Sequence, residues 1–72
     1  MAAPKIRLDL AKRLRQLRTK FHFTQEEVAE KADLDFRYYQ RLESRTPPAV
    51  KIDTIKRLAI AFKVEPSALL RK

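Results

Sequence analysis

Apolar residues recur along this chain at helical spacing, and no long alternating run signals a half-buried strand. Ile6, Leu10, Leu14, Leu17 and Phe21 are separated by 4, 4, 3 and 4 positions, one stripe of a helix from about Lys5 to Lys20. Pro4 suits the first position of that helix. Arg7, Lys12, Arg13, Arg15 and Lys20 occupy its other faces. Val28, Ala29 and Ala32 give a thin, small-residue face to a second helix. Tyr39 and Leu42 give the inner side of a third, expected from Phe36 to about Ser44. Ile55, Leu58, Ala59 and Phe62 line a fourth from Ile52 to Lys63. A turn at Val64-Glu65 leads to a short fifth helix from Pro66 to Leu70. The pattern predicts an all-α fold of five helices.

The punctuation between helices is equally directive. Thr24 can accept from the N–H three residues on, while Glu27 reaches back to the Thr24 N–H, a capping box. Asp33-Leu34-Asp35 breaks the helical pattern, and Asp35 is a good N-cap for the third helix. The small residues of the second helix let the third cross it closely, as a helix-turn-helix requires. Thr46-Pro47-Pro48-Ala49 predicts a rigid loop, because paired prolines disfavour helix.

Composition narrows the function. Seventy-two residues are expected to form a single domain over residues 1–72, with its core from about 5 to 71. A chain this short buries only about 60% of its unfolded surface, so it needs a dense helical core or a partner. The formal net charge of +8 favours nucleic acid or an acidic surface. With no cysteine, neither a disulfide framework nor a thiolate metal site is available, which fits a cytoplasmic location, on the nucleoid if the source is bacterial. No apolar run approaches the ~20 residues of a membrane span, and no secretory signal is visible. No membrane association is therefore expected. The single histidine, His22, reads as a turn residue, and neither Ser44 nor Ser67 has a base at a recognisable spacing. No catalysis, cofactor or small-molecule ligand is expected, and the chain leaves no room for a separate sensing domain.

Binding has more to work with. The second helix of a helix-turn-helix places its N-terminal part in the major groove of DNA. Here that part is Phe36, Arg37 and Tyr38, with Gln40 and Arg41 a turn later. Positions 37, 40, 41 and 44 share one face, with 36 at its edge. Arg37 and Arg41 are the candidates for base edges, since a guanidinium bonds guanine O6 and N7 together. Phe36 is placed either against a thymine methyl or in a packing or protein contact. Tyr38 and Gln40 are candidates for bases or phosphates. Thr24 and Gln25 open the second helix toward a nearby phosphate, and Ser44, Arg45 and Thr46 are expected to donate to phosphate at the end of the third.

The ordered series L-x-x-x-L-R-x-L-R at Leu10–Arg18, F-T-Q-E-E-V-A-E-K at Phe23–Lys31, R-L-E at Arg41–Glu43, I-D-T-I-K-R-L-A-x-A-F-x-V at Ile52–Val64 and S-A-L-L at Ser67–Leu70 resembles the lambda-repressor-like, or Xre, family of DNA-binding domains. The resemblance covers nearly everything from Leu10 on. It implies a small regulator that binds double-stranded DNA in a sequence-specific way, as a two-fold homodimer. It implies that Gln25 contacts the DNA backbone and braces the recognition helix, and that Arg18 pairs with Glu43. It implies a dimer surface in the C-terminal third, around Pro47-Pro48, Lys63-Val64-Glu65 and Leu69-Leu70, although Leu69 and Leu70 read better as closure of the core. The family often has glycine near His22, Asp33, Arg45 and Lys63, whereas this chain has none. Arg45 and Lys63 are therefore expected either to carry strain or to sit in turns of another shape. The family also contains modules that dock on proteins, as in antitoxins and coactivators. The aromatic group Phe36, Tyr38 and Tyr39 is the candidate surface for such a partner.

Overall fold

Helix starts and stops follow the local chemistry closely. In the computed structural model, which describes residues 3–70, the helices are α1 (Lys5–Lys20), α2 (Gln25–Lys31), α3 (Phe36–Leu42), α4 (Ile52–Phe62) and α5 (Pro66–Leu70). Arg71, the last expected core position, lies outside the described residues. Pro4 is the N-cap rather than the first helical residue: its ψ of 144° is extended, and its carbonyl accepts from the Arg7 and Leu8 N–H groups. At α2 the capping box is complete. The Glu27 N–H donates to Thr24 Oγ1 at 3.0 Å, and the Thr24 N–H donates to Glu27 Oε1 at 2.8 Å. At α3 the Tyr38 N–H donates to Asp35 Oδ2 at 3.0 Å. Each such cap contributes about 1 kcal/mol.

The apolar stripes meet in one core. Leu10, Leu14 and Leu17 bring α1 against Val28 and Ala29 of α2, Tyr39 and Leu42 of α3, and Leu58, Ala59 and Phe62 of α4. Leu69 closes the core from α5. Both ends of the α1 stripe fall outside it: Ile6 is 61% exposed and Phe21 41%. Phe21 is the C-cap of α1, where it stacks on Phe23 and Phe62 with centroids 6.0 and 6.3 Å away. Val28, Ala29 and Ala32 are all buried, so α3 packs closely across α2.

Two boundaries differ from expectation. α3 stops at Leu42, not Ser44, because Ser44 Oγ donates back to the Arg41 carbonyl at 2.7 Å and accepts from the Thr46 N–H at 3.3 Å. This local turn competes with helical continuation. α4 stops at Phe62, and Lys63 takes the left-handed conformation (φ 56°, ψ 43°) as its C-cap. His22 (φ 58°) and Asp33 (φ 56°) do the same after α1 and α2. Arg45 is spared, since the turn built on Ser44 keeps its φ negative.

Candidate nucleic-acid interface

α2 and α3 are joined by a short turn. The Leu34 N–H bonds the Ala29 carbonyl at 2.8 Å and the Asp33 N–H bonds the Glu30 carbonyl at 3.1 Å. Arg57 of α4 steadies the same turn, donating to the Asp33 carbonyl at 3.3 Å. α3 then buries Tyr39 and Leu42 and leaves Phe36, Arg37, Gln40 and Arg41 exposed. Tyr38 belongs to the other class: it is half-buried and packs against the core. Part of its surface is thus taken up by packing against the protein. With Tyr39 fully buried as well, only Phe36 remains exposed in the aromatic group proposed for a protein partner.

Glu43, the residue after α3, is the charged hub of this region and is almost fully buried. Arg18 forks onto its carboxylate, Nε to Oε2 at 2.8 Å and Nη2 to Oε1 at 3.1 Å, and Nη1 also donates to the Phe23 carbonyl at 3.2 Å. The bond to Glu43 raises the Arg18 pKa above its ordinary value, while partial burial acts against it. Gln25 Nε2 donates to Glu43 Oε1 at 3.1 Å. Gln40 Nε2 reaches Gln25 Oε1 at 3.4 Å. A polar chain therefore runs from α1 through the buried carboxylate to the first residue of α2 and on to the exposed face of α3. Tyr39 OH is buried beside this carboxylate with no hydrogen-bond partner. Burial first, and then the close approach of the Glu43 carboxylate, push its pKa far upward.

The expected phosphate contacts fall at both ends of this unit. Thr24 is exposed with its Oγ1 accepting the α2 cap bond, and Gln25 is half-buried through its link to Glu43. Arg45 and Thr46 are exposed past the end of α3. Ser44 is half-buried and its proton is committed to the Arg41 carbonyl, so it shapes the turn. Arg15, on an outer face of α1 and exposed, also donates through Nη1 to the Glu43 carbonyl oxygen. Arg15 and Arg18 stand one turn apart on α1, so both arms hold the end of α3. That spacing was the available signal for Arg15; nothing in the sequence marks Arg57.

The chain matches the Helix-turn-helix family over residues 14–69. It belongs to that family of DNA-binding regulators. Among solved helix-turn-helix structures, it is 35% identical to the restriction-modification controller protein C.AhdI from Aeromonas hydrophila. That likeness covers 88% of this chain and 94% of the other, with a TM-score of 0.82. It is 27% identical to the hypothetical transcription factor NHTF from Neisseria, over 99% of this chain and 83% of that one, with a TM-score of 0.86. A search of curated proteins returns no match. Among the described residues no helix is long and apolar enough to cross a membrane.

Proposed function

We propose that this helix-turn-helix regulator reads duplex DNA sequence with α3 in the major groove, acting as a two-fold dimer in the cytoplasm. The observation that carries the reading is the division of α3 into a buried side and a polar exposed side, with its end anchored to α1 through Glu43. Arg37 and Arg41 bond base edges, Gln40 reaches a base or phosphate, and Phe36 contacts a thymine methyl. Thr24, Gln25, Arg45 and Thr46 hold the flanking phosphates, fixing register without reading sequence. The Gln25–Glu43 bond supports this assignment, because a backbone contact at Gln25 would then be felt at both Arg18 and Gln40.

One module contacts few base pairs, so a dimer supplies the remaining affinity, with recognition helices about 34–36 Å apart. The dimer surface we favour is the end of α4 and the turn after it. Ile60 is 64% exposed there, one turn before Val64. Pro47 and Leu69, also candidates for this surface, are buried within the protomer.

The testing experiment is selection from random DNA duplexes at near-physiological salt. Inverted half-sites about 10 bp apart support a sequence-reading dimer. Recovery of no motif, with only salt-sensitive binding, would leave a non-specific binder.

A further inference from the structure

An apolar groove interrupts the charged surface where the start of α1, the approach to α4 and the end of α5 come together. It has a volume of about 290 Å³ and is lined chiefly by Ile6, Val50, Ile52, Ile55 and Leu70, with Arg7 as its one charged lining residue. Ile52 is 86% exposed, Ile6 61% and Leu70 48%. Single exposed aliphatics are ordinary, but several around one groove mark an interaction surface. Neither α2 nor α3 contributes a lining residue, so an occupant leaves Arg37 and Arg41 free. Ile60, on the surface favoured for the dimer, is also not part of it.

Charge selects the occupant. Besides Arg7 in the lining, exposed Lys5 and Lys51 adjoin Ile6 and Ile52 in the chain, and Lys56 adjoins Ile55. Two acidic residues, Asp9 beside Leu10 and Asp53 beside Ile52, are next to lining positions, so the four basic residues outnumber them two to one. A second copy would set this basic rim against its own duplicate, on a chain that already carries +8. An apolar segment flanked by carboxylates meets complementary charge. We propose that this groove docks a short amphipathic segment of a partner protein, with large aliphatic side chains in the groove and Asp or Glu against Arg7 and the adjoining lysines. Protein docking thus moves from the aromatics of α3 to a surface outside the helix-turn-helix unit, compatible with simultaneous DNA binding.

The test is a selection of a random twelve-residue phage-displayed peptide library on the full chain, followed by anisotropy titration of the enriched peptides. The expected winners pair two large aliphatic residues with Asp or Glu. Their affinity falls at least tenfold for Ile52→Ser and for Arg7→Ala, while the circular dichroism spectrum of each variant matches the wild type. Ile6→Ser, also at an exposed site, repeats the measurement at the other wall. The proposal is overturned by failure of any motif to enrich, by winners without carboxylates, or by winners indifferent to both serine variants. Conversion of a dimer to a monomer by Ile52→Ser in sedimentation velocity would equally overturn it, since the groove would then belong to a second copy.

Discussion

Arg18 grips Glu43 through both carboxylate oxygens, at 2.8 and 3.1 Å, tying the last turn of α1 to the residue that ends the recognition helix. The carboxylate side chain is only 2% exposed, so losing its partner leaves a charge that water cannot reach. Arg18→Ala is expected to destabilise the fold by about 3–5 kcal/mol. Arg18→Met combined with Glu43→Leu removes both charges and should recover at least half of that loss. Urea unfolding of the two variants and the wild type measures both quantities. A double variant no more stable than Arg18→Ala would show that the stranded charge is not the cause.

The two ends of the DNA-facing unit are expected to behave differently. Arg37 is exposed on α3, whereas Gln25 is bonded to the buried carboxylate at the start of α2. Arg37→Ala should flatten preference at one or two base positions, at about 1–3 kcal/mol each. Gln25→Ala should weaken all sequences alike. Binding titrations on the selected operator and its single-base variants separate the two patterns. If Arg37→Ala changed neither preference nor affinity, docking of α3 by this face would be wrong.

The contrast between these residues also shows what a sequence can disclose. The box at Thr24 and Glu27 and the cap at Asp35 are legible because donor and acceptor lie three residues apart. The inner faces of α1 and α4 are legible from periodicity, yet periodicity does not say where a core ends, and so Ile6 and Phe21 emerge exposed. Arg18 and Glu43 are 25 positions apart, and their pairing was foreseeable only from family resemblance. Arg15 and Arg57 bind backbone carbonyls, which every residue carries, so the acceptor leaves no mark in the sequence. Tyr38 sits at the boundary between the two sides of α3, where helical phase alone assigns neither. The apolar groove is assembled from three separate stretches of chain, and only their packing brings it into being.

Lys63 holds a left-handed backbone at the end of α4, where the Val64 N–H bonds the Ala59 carbonyl at 2.9 Å and its own N–H bonds the Ile60 carbonyl at 3.1 Å. A side chain with a Cβ is disfavoured there, and glycine is not. Lys63→Gly should stabilise the fold by about 1 kcal/mol. Arg45→Gly should not, because its φ is not positive and glycine there only enlarges the freedom of the unfolded chain. Thermal melts of both variants test the pair, and equal shifts in the same direction would exclude backbone strain at Lys63 as the cause.

Tyr39 buries its hydroxyl without a hydrogen-bond partner, so its contribution should rest on the ring. Tyr39→Phe keeps the packing and relieves an unsatisfied polar atom, and is expected to change stability by less than about 1 kcal/mol or to raise it. Tyr39→Leu leaves space in the core and should cost more. A large loss in Tyr39→Phe would reveal a bond from the hydroxyl to Glu43 in solution.

The α2 cap makes one contribution to stability dependent on pH. Glu27 accepts from the Thr24 backbone N–H, and that bond, followed by the Thr24 hydroxyl, lowers its pKa from the ordinary 4.5. A group whose pKa is depressed by folding stabilises the native state above its unfolded pKa and loses that effect as pH falls through the folded value. Glu27→Gln keeps an acceptor for the Thr24 N–H but does not titrate. The wild type should therefore be more stable than Glu27→Gln at pH 7, with the gap closing as pH drops below 4.5. Urea midpoints for both proteins between pH 7 and pH 3 give the comparison. Repeating it with Thr24→Ala in both backgrounds removes the hydroxyl partner, and the gap should shrink at neutral pH. A gap that widened toward acid would mean that the ionised carboxylate opposes folding at this helix start.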